Sequence, residues 1–136
     1  MAETRDYLNV RLEPQEIEAI SNLGLAHIGD CVYELLVRTY LLRRGEHTNR
    51  RVHEATLAYV SAPAQARAAE KILPRLTEEE RAVWKRGRNS YVNSVPKNAS
   101  VADYHAATGL EALFGWLYLR GERGRAGELF GLITGE

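Results

Sequence analysis

Two carboxylates stand where carboxylates are costly. Asp30 falls within LAHIGDCVYELLVRTYLL, residues 25–42, and Glu111 within ATGLEALFGWLYLR, residues 107–120. Stepping about 100° per residue, Ile28, Val32, Leu35, Leu36, Thr39 and Leu42 share one stripe of the first run, while Tyr33, Val37, Tyr40 and Leu41 lie opposite. A helix apolar nearly all round reads as a buried helix, and an isolated buried acid is strongly destabilising unless compensated. Two such acids facing each other would repel and raise each other's pKa. A hard divalent ion held by carboxylates and water removes that repulsion, and magnesium prefers oxygen ligands of this kind. The competing explanation is structural: each acid pairs with an arginine or caps a neighbouring helix. Glu34, one turn after Asp30, is a candidate support for the first acid, or simply the i,i+4 partner of Arg38. Gly115 shares the face of Glu111 and leaves room for a partner or a closely packed helix.

A second feature is basic. Arg81, Lys85, Arg86, Arg88 and Lys97 occur in residues 81–97 without an acid, with Trp84 and Tyr91 interspersed. Such a stretch can grip phosphates by charge, or it can balance the run Glu78, Glu79 and Glu80. Arg43, Arg44, Arg50 and Arg51 form a weaker cluster of the same kind. His53 and His105 read as packing or surface residues. Ser61, Ser90, Ser94 and Ser100 sit in caps or loops, so no nucleophile-and-base arrangement emerges. The single cysteine, Cys31, excludes an intrachain disulfide and reads as a small hydrophobe. There is no zinc spacing and no glycine-rich phosphate loop, hence no organic cofactor is expected.

The elements that must position these residues are helices. A first helix starts at Pro14 and ends near Asn22 to Gly24, and the Asp30 helix follows over residues 25–42, stopping at Gly45. Thr48 or Asn49 opens a third to about Val60. Ser61 caps a fourth, with Pro63 in its first turn, ending at or before Pro74. Thr77 with Glu80 is a capping box for a fifth, to about Gly87. A polar loop spans residues 88–98. Ser100 with Asp103 is a second capping box, opening the Glu111 helix, which continues through Leu119 with a disturbance expected at Thr108 and Gly109. A last helix covers residues 123–132. The 136 residues have zero formal net charge and read as one all-α domain, 1–136. The first residues carry no apolar run and no long uncharged stretch exists, so neither signal peptide nor membrane span is expected, and the default location is cytoplasmic.

The order of short blocks is more specific than any one of them. Ile28-Gly29-Asp30 opening a long apolar helix, followed by Glu111-Ala112-Leu113-Phe114-Gly115, resembles the ribonuclease III endonuclease domain. The blocks AHIGDCVYE, YVSA, KRGRN, VPKNA and ATGLEAL, beginning at Ala26, Tyr59, Lys85, Val95 and Ala107, resemble the Mini-ribonuclease III group within it. The resemblance covers roughly residues 23–121. It implies a homodimeric, Mg²⁺-dependent endoribonuclease acting on double-stranded RNA, in maturation of large-subunit ribosomal RNA, with 5′-phosphate and 3′-hydroxyl products. It implies Asp30 and Glu111 as catalytic metal ligands, Glu34 behind them and His27 at the dimer contact. A bare catalytic domain without a separate double-stranded-RNA-binding domain must bind RNA itself, which favours Arg81, Lys85, Arg86, Arg88, Asn89, Lys97 and Asn98. Two positions depart from full-length ribonuclease III: Ala26 and Thr108 stand where that family usually carries acids. The thinner acid set keeps an alternative open, a non-catalytic RNA-binding or ribosome-associated module on the same fold.

Overall fold

In the computed structural model, residues 5–90 and 100–136 are described. Seven helices and one 3-10 turn follow in chain order, and no strand occurs among the described residues. They are α1 (Pro14–Glu18), α2 (Asn22–Arg43), α3 (Asn49–Val60), α4 (Ala62–Ile72), the 3-10 turn Leu73–Arg75, α5 (Glu78–Arg88), α6 (Val101–Leu119) and α7 (Arg123–Thr134). The all-α expectation therefore holds.

Local chemistry explains most boundaries. Ser21, Thr48, Ser61, Thr77 and Ser100 each accept a hydrogen bond from a first-turn backbone N–H. Thr77 and Glu80 form the full reciprocal box, whereas Ser100 caps α6 one-sidedly by accepting from the Asp103 N–H. Ser21 also corrects the sequence expectation. Its Oγ accepts from Gly24 N at 2.9 Å, so α2 begins at Asn22, and α1 is only one turn long, ending at Glu18. α6 runs through Thr108 and Gly109 without interruption.

The helix buried on all sides is α6. Residues 107–117 are buried apart from Glu111, with α2, α4, α5 and α7 packed around them. α2 buries only Leu25, Ala26, Gly29, Tyr33, Val37 and Leu41. Within the single chain α2 is not buried all round: Leu35 and Leu42 are 57% and 50% exposed, and Cys31 is exposed too. A stripe at spacings of three and four carries the packing, flanked by partly buried Leu36 and Tyr40, while Leu23, His27, Cys31 and Leu35 face outward. Tyr33 anchors the core edge-on to Phe114 and Phe130, with ring centroids 5.2 and 5.8 Å away.

Two glycine contacts set the helix spacing. A Cβ on Gly29 would overlap the Glu111 carbonyl oxygen, and one on Gly115 would overlap that of Leu25. α2 and α6 thus touch backbone to backbone. Gly87 and Gly109 do the same for α5 and α6: a Cβ on Gly87 would lie 2.7 Å from Ala112 Cβ, and one on Gly109 2.7 Å from the Trp84 carbonyl oxygen.

One ion pair locks the remaining layer. Glu80 is 4% exposed and receives both Nε and an Nη of Arg125 at 2.8 Å, while Arg125 also donates to the Arg75 carbonyl. The arginine holds the Glu80 carboxyl below its ordinary value, against the opposing effect of burial.

The glycine contacts lead to opposite expectations for one substitution type. Gly29→Ala should cost about 3 kcal/mol or more, because backbone rather than a flexible side chain must move. Gly127→Ala, with no neighbouring atom near its added carbon, should gain about 0.5–1 kcal/mol. Urea unfolding of both variants checks this; equal midpoints would refute the close-packed crossing.

Candidate metal and RNA site

The α2–α6 crossing brings the two sequence-selected acids together. Asp30 follows Gly29 directly, and Glu111 supplies the carbonyl that Gly29 packs against. Asp30 is exposed, not embedded as its apolar surroundings suggested, because it projects from the open side of α2. Glu111 is half-buried. Its carboxyl is pushed up to about 8, first by burial, then by the Asp30 charge and hydrogen bonding with Asp30; Gln65 pulls the other way.

The structural explanation for these acids fails among the described residues. None of the ion pairs found there includes Asp30 or Glu111. Nor does either carboxylate cap a helix. Two adjacent carboxylates without a counter-cation make an oxygen-only donor set whose charged state a divalent cation would favour. The set fits magnesium, which binds through one or two carboxylates and keeps several waters. No cluster of three or more His, Cys, Asp or Glu side chains occurs among the described residues. Ala26 is buried in the core, and the Thr108 hydroxyl donates to the Tyr104 carbonyl at 2.9 Å, so neither adds a charged ligand.

The other selected residues are placed as follows. Glu34 accepts from Arg38 Nε at 3.0 Å, the simple i,i+4 pair. His27 is exposed on α2. Lys85 and Arg86 are exposed on the last turns of α5. Arg88 lies over the Trp84 ring, 4.8 Å from its centroid, and donates to Asn89 Oδ1. Arg81 is separated from this group in role: its guanidinium donates to the Leu73 carbonyl at 2.6 Å and tethers α5 to the 3-10 turn. Lys97 and Asn98 lie outside the described residues. In the second basic cluster, Arg44, Arg50 and Arg51 are paired with Glu136, Glu54 and Glu46.

Two polar residues beside Glu111 escaped sequence reasoning. Gln65 on α4 is 2% exposed, and Tyr33 on α2 is 1% exposed. The available signal for Gln65 was its place on the stripe with Ala69 and Ile72, a polar residue at core positions. A separate cleft lies elsewhere. It is an open groove of about 790 Å³ bounded by Arg11, Glu18, Glu79, Arg86, Trp116 and Arg120 among others, and it includes neither acid.

An all-helical domain built around this carboxylate pair is matched, over residues 23–122, by the Ribonuclease III domain family. The chain belongs to the ribonuclease III family, and within it to the Mini-ribonuclease 3 group. It is 40% identical to the Mini-ribonuclease 3 of Clostridium tetani, over 93% of this chain and 85% of that one. It is 46% identical to that of Symbiobacterium thermophilum, over 79% and 82%. A crystal structure of a Fusobacterium nucleatum protein superposes with a TM-score of 0.80 at 30% identity, covering 88% of this chain and 96% of the other.

The raised Glu111 carboxyl carries a stability signature. Its folded value near 8 exceeds the ordinary 4.5, so ionisation opposes folding. The penalty is absent below the unfolded value, grows as pH rises from there towards 8 and levels off above. In metal-free protein, Glu111→Gln should raise Tm by on the order of 5 °C at pH 8, with the gain shrinking as pH falls towards 5. Thermal melts across that range check it; a pH-independent difference would contradict the assigned strain.

Proposed function

We propose that this chain is a Mg²⁺-dependent endoribonuclease that hydrolyses phosphodiester bonds in double-stranded RNA, leaving 5′-phosphate and 3′-hydroxyl ends. Its substrate is precursor of large-subunit ribosomal RNA, its working form is a homodimer, and its location is the cytoplasm. The observation that carries this reading is the Asp30–Glu111 pair, two adjacent carboxylates with no cationic partner among the described residues. The family matches support the same activity.

Asp30 and Glu111 would hold the ion, whose chemistry when bound is activation of water and neutralisation of charge on the scissile phosphate. Asp30, at the exposed end of the pair, meets the RNA backbone side. Glu111, half-buried and fixed to α6 where its backbone meets Gly29, sets the depth of the site. Lys85, Arg86 and Arg88 extend a basic surface from the end of α5, with Asn89, Lys97 and Asn98 continuing it in sequence. Their contacts would follow the shape and phosphates of an A-form duplex rather than base identity. No helix among the described residues is long and apolar enough to cross a membrane.

The outward face of α2 supports the dimer. Leu23, His27, Cys31, Leu35 and Leu42 recur at spacings of four and seven, and the three leucines are 43–57% exposed. A two-fold axis along this ridge would bury it against itself and present two equal sites to the two antiparallel strands of a duplex. Glu34, flanking the ridge beside Arg38, supports the α2 surface next to Asp30.

Asp30→Asn should abolish Mg²⁺-dependent cleavage of long duplex RNA while retaining duplex binding; normal cleavage by this variant rules out the metal role. A wild-type protein that binds duplex RNA but leaves it intact with Mg²⁺ present would instead be a non-catalytic RNA-binding module. Replacing Lys85, Arg86 and Arg88 together with alanine should weaken duplex binding and reduce the salt slope by about 2–3. An unchanged slope, measured by filter binding from low to moderate salt, removes α5 from the RNA interface.

A further inference from the structure

Two buried donors stand behind Glu111 without partners. The Tyr33 hydroxyl and the Gln65 amide nitrogen are both solvent-inaccessible and make no hydrogen bond among the described residues. They come from different helices. Tyr33 lies one turn after Gly29 on the same face of α2, and its ring packs edge-on against Phe114, three residues after Glu111 in α6. Gln65 lies in the first turns of α4, which packs on α6 from another side. The Gln65 side chain lies within reach of the Glu111 carboxyl, which it pulls down, and the Glu111 charge in turn reaches the Tyr33 hydroxyl. Asp30 approaches the same carboxyl from the solvent side.

Burial of a hydroxyl and an amide without partners opposes folding. A fold that keeps two of them against one carboxylate has a use for them when that carboxylate is charged. We infer that Tyr33 and Gln65 are positioning residues for the metal site: their O–H and N–H are set to donate to Glu111 and to aim its carboxylate at Asp30 and the shared cation. This rests on the reading of Asp30 and Glu111 as metal ligands. Both donors are neutral, so they orient the carboxylate without competing with the cation for its charge. A two-carboxylate site has few ligands to define its geometry, so fixing one rotamer from behind has a large effect on affinity.

The test uses Mn²⁺ as the probe ion, with free Mn²⁺ read by electron paramagnetic resonance, on the full chain and its Tyr33→Phe, Gln65→Leu, Gln65→Met and Asp30→Asn variants. Tyr33→Phe and the Gln65 variants should each weaken Mn²⁺ binding by about tenfold. Their kcat on duplex RNA should fall while KM stays near wild type. The metal-free Tyr33→Phe protein should melt no lower than wild type, because an unpartnered buried hydroxyl stabilises nothing. A merely structural role would lower Tm and leave metal affinity untouched. If Gln65→Leu does not fold, Gln65→Met and Tyr33→Phe carry the test. Mn²⁺ affinity within about twofold of wild type in the folded variants, with binding lost in Asp30→Asn, overturns the positioning role alone. Wild-type Mn²⁺ affinity in Asp30→Asn as well overturns the metal site, and this inference with it.

Discussion

Where α2 crosses α6, the two backbones touch with no side chain between them. Gly29 lies against the carbonyl of Glu111, and Gly115 against the carbonyl of Leu25. Side-chain-to-side-chain packing tolerates small shifts through rotamer changes, but a backbone contact has no such slack. The acids are therefore placed by the crossing itself: Asp30 follows Gly29 at one contact point, and Glu111 supplies the carbonyl on the other side of that same contact. Sliding either helix by one residue would rotate its acid away by a large angle and place a Cβ where none fits. The same crossing brings the Tyr33 ring edge-on against Phe114. Core, carboxylate pair and buried donors all follow from two missing methyl groups.

Charge is distributed with similar economy. The formal net charge is zero, yet α5 alone carries Glu78, Glu79 and Glu80 in its first turn and Lys85, Arg86 and Arg88 in its last. That order suits the helix dipole at both ends. It also collects the basic residues at one end of one element, so a neutral protein offers a locally positive surface. Gly87 and Gly109 hold this end close to α6, whose next turn carries Glu111. The basic surface and the acid pair are thus joined through a second glycine contact.

The helices were legible because their signals are local: serine and threonine caps, a capping box and helical periodicity. The exceptions are informative. Ser21 was passed over as a cap, and α2 gained a turn at the expense of α1. Periodicity marked α2 as apolar but could not tell core from outward face, since Leu35 and Leu42 are as hydrophobic as Leu25 and Leu41. Asp30 was selected for being buried, which it is not, although it does meet Glu111 as the metal reading required. Arg81 shows the limit for charge runs: Lys85 and Arg86 of the same run are exposed, but the Arg81 guanidinium is occupied by the Leu73 carbonyl. Gln65 and Tyr33 were invisible for a different reason. Their meeting with Glu111 joins three helices, and nothing local in any one of them announces it.

The Glu80–Arg125 lock has a consequence for the order in which the layers can close. Glu80 receives its arginine from 45 residues downstream, and Lys71 reaches forward to the Ile133 carbonyl, 62 residues away. The α2–α6 pair can assemble as soon as α6 has been made. Until α7 emerges, however, the Glu80 carboxylate lacks its cation and the outer ends of α4 and α5 have nothing to close against. Closure of the α4–α5 layer thus depends on contacts bridging 45 and 62 residues, which are non-local and costly in loop entropy, whereas the caps that start most of the helices are local.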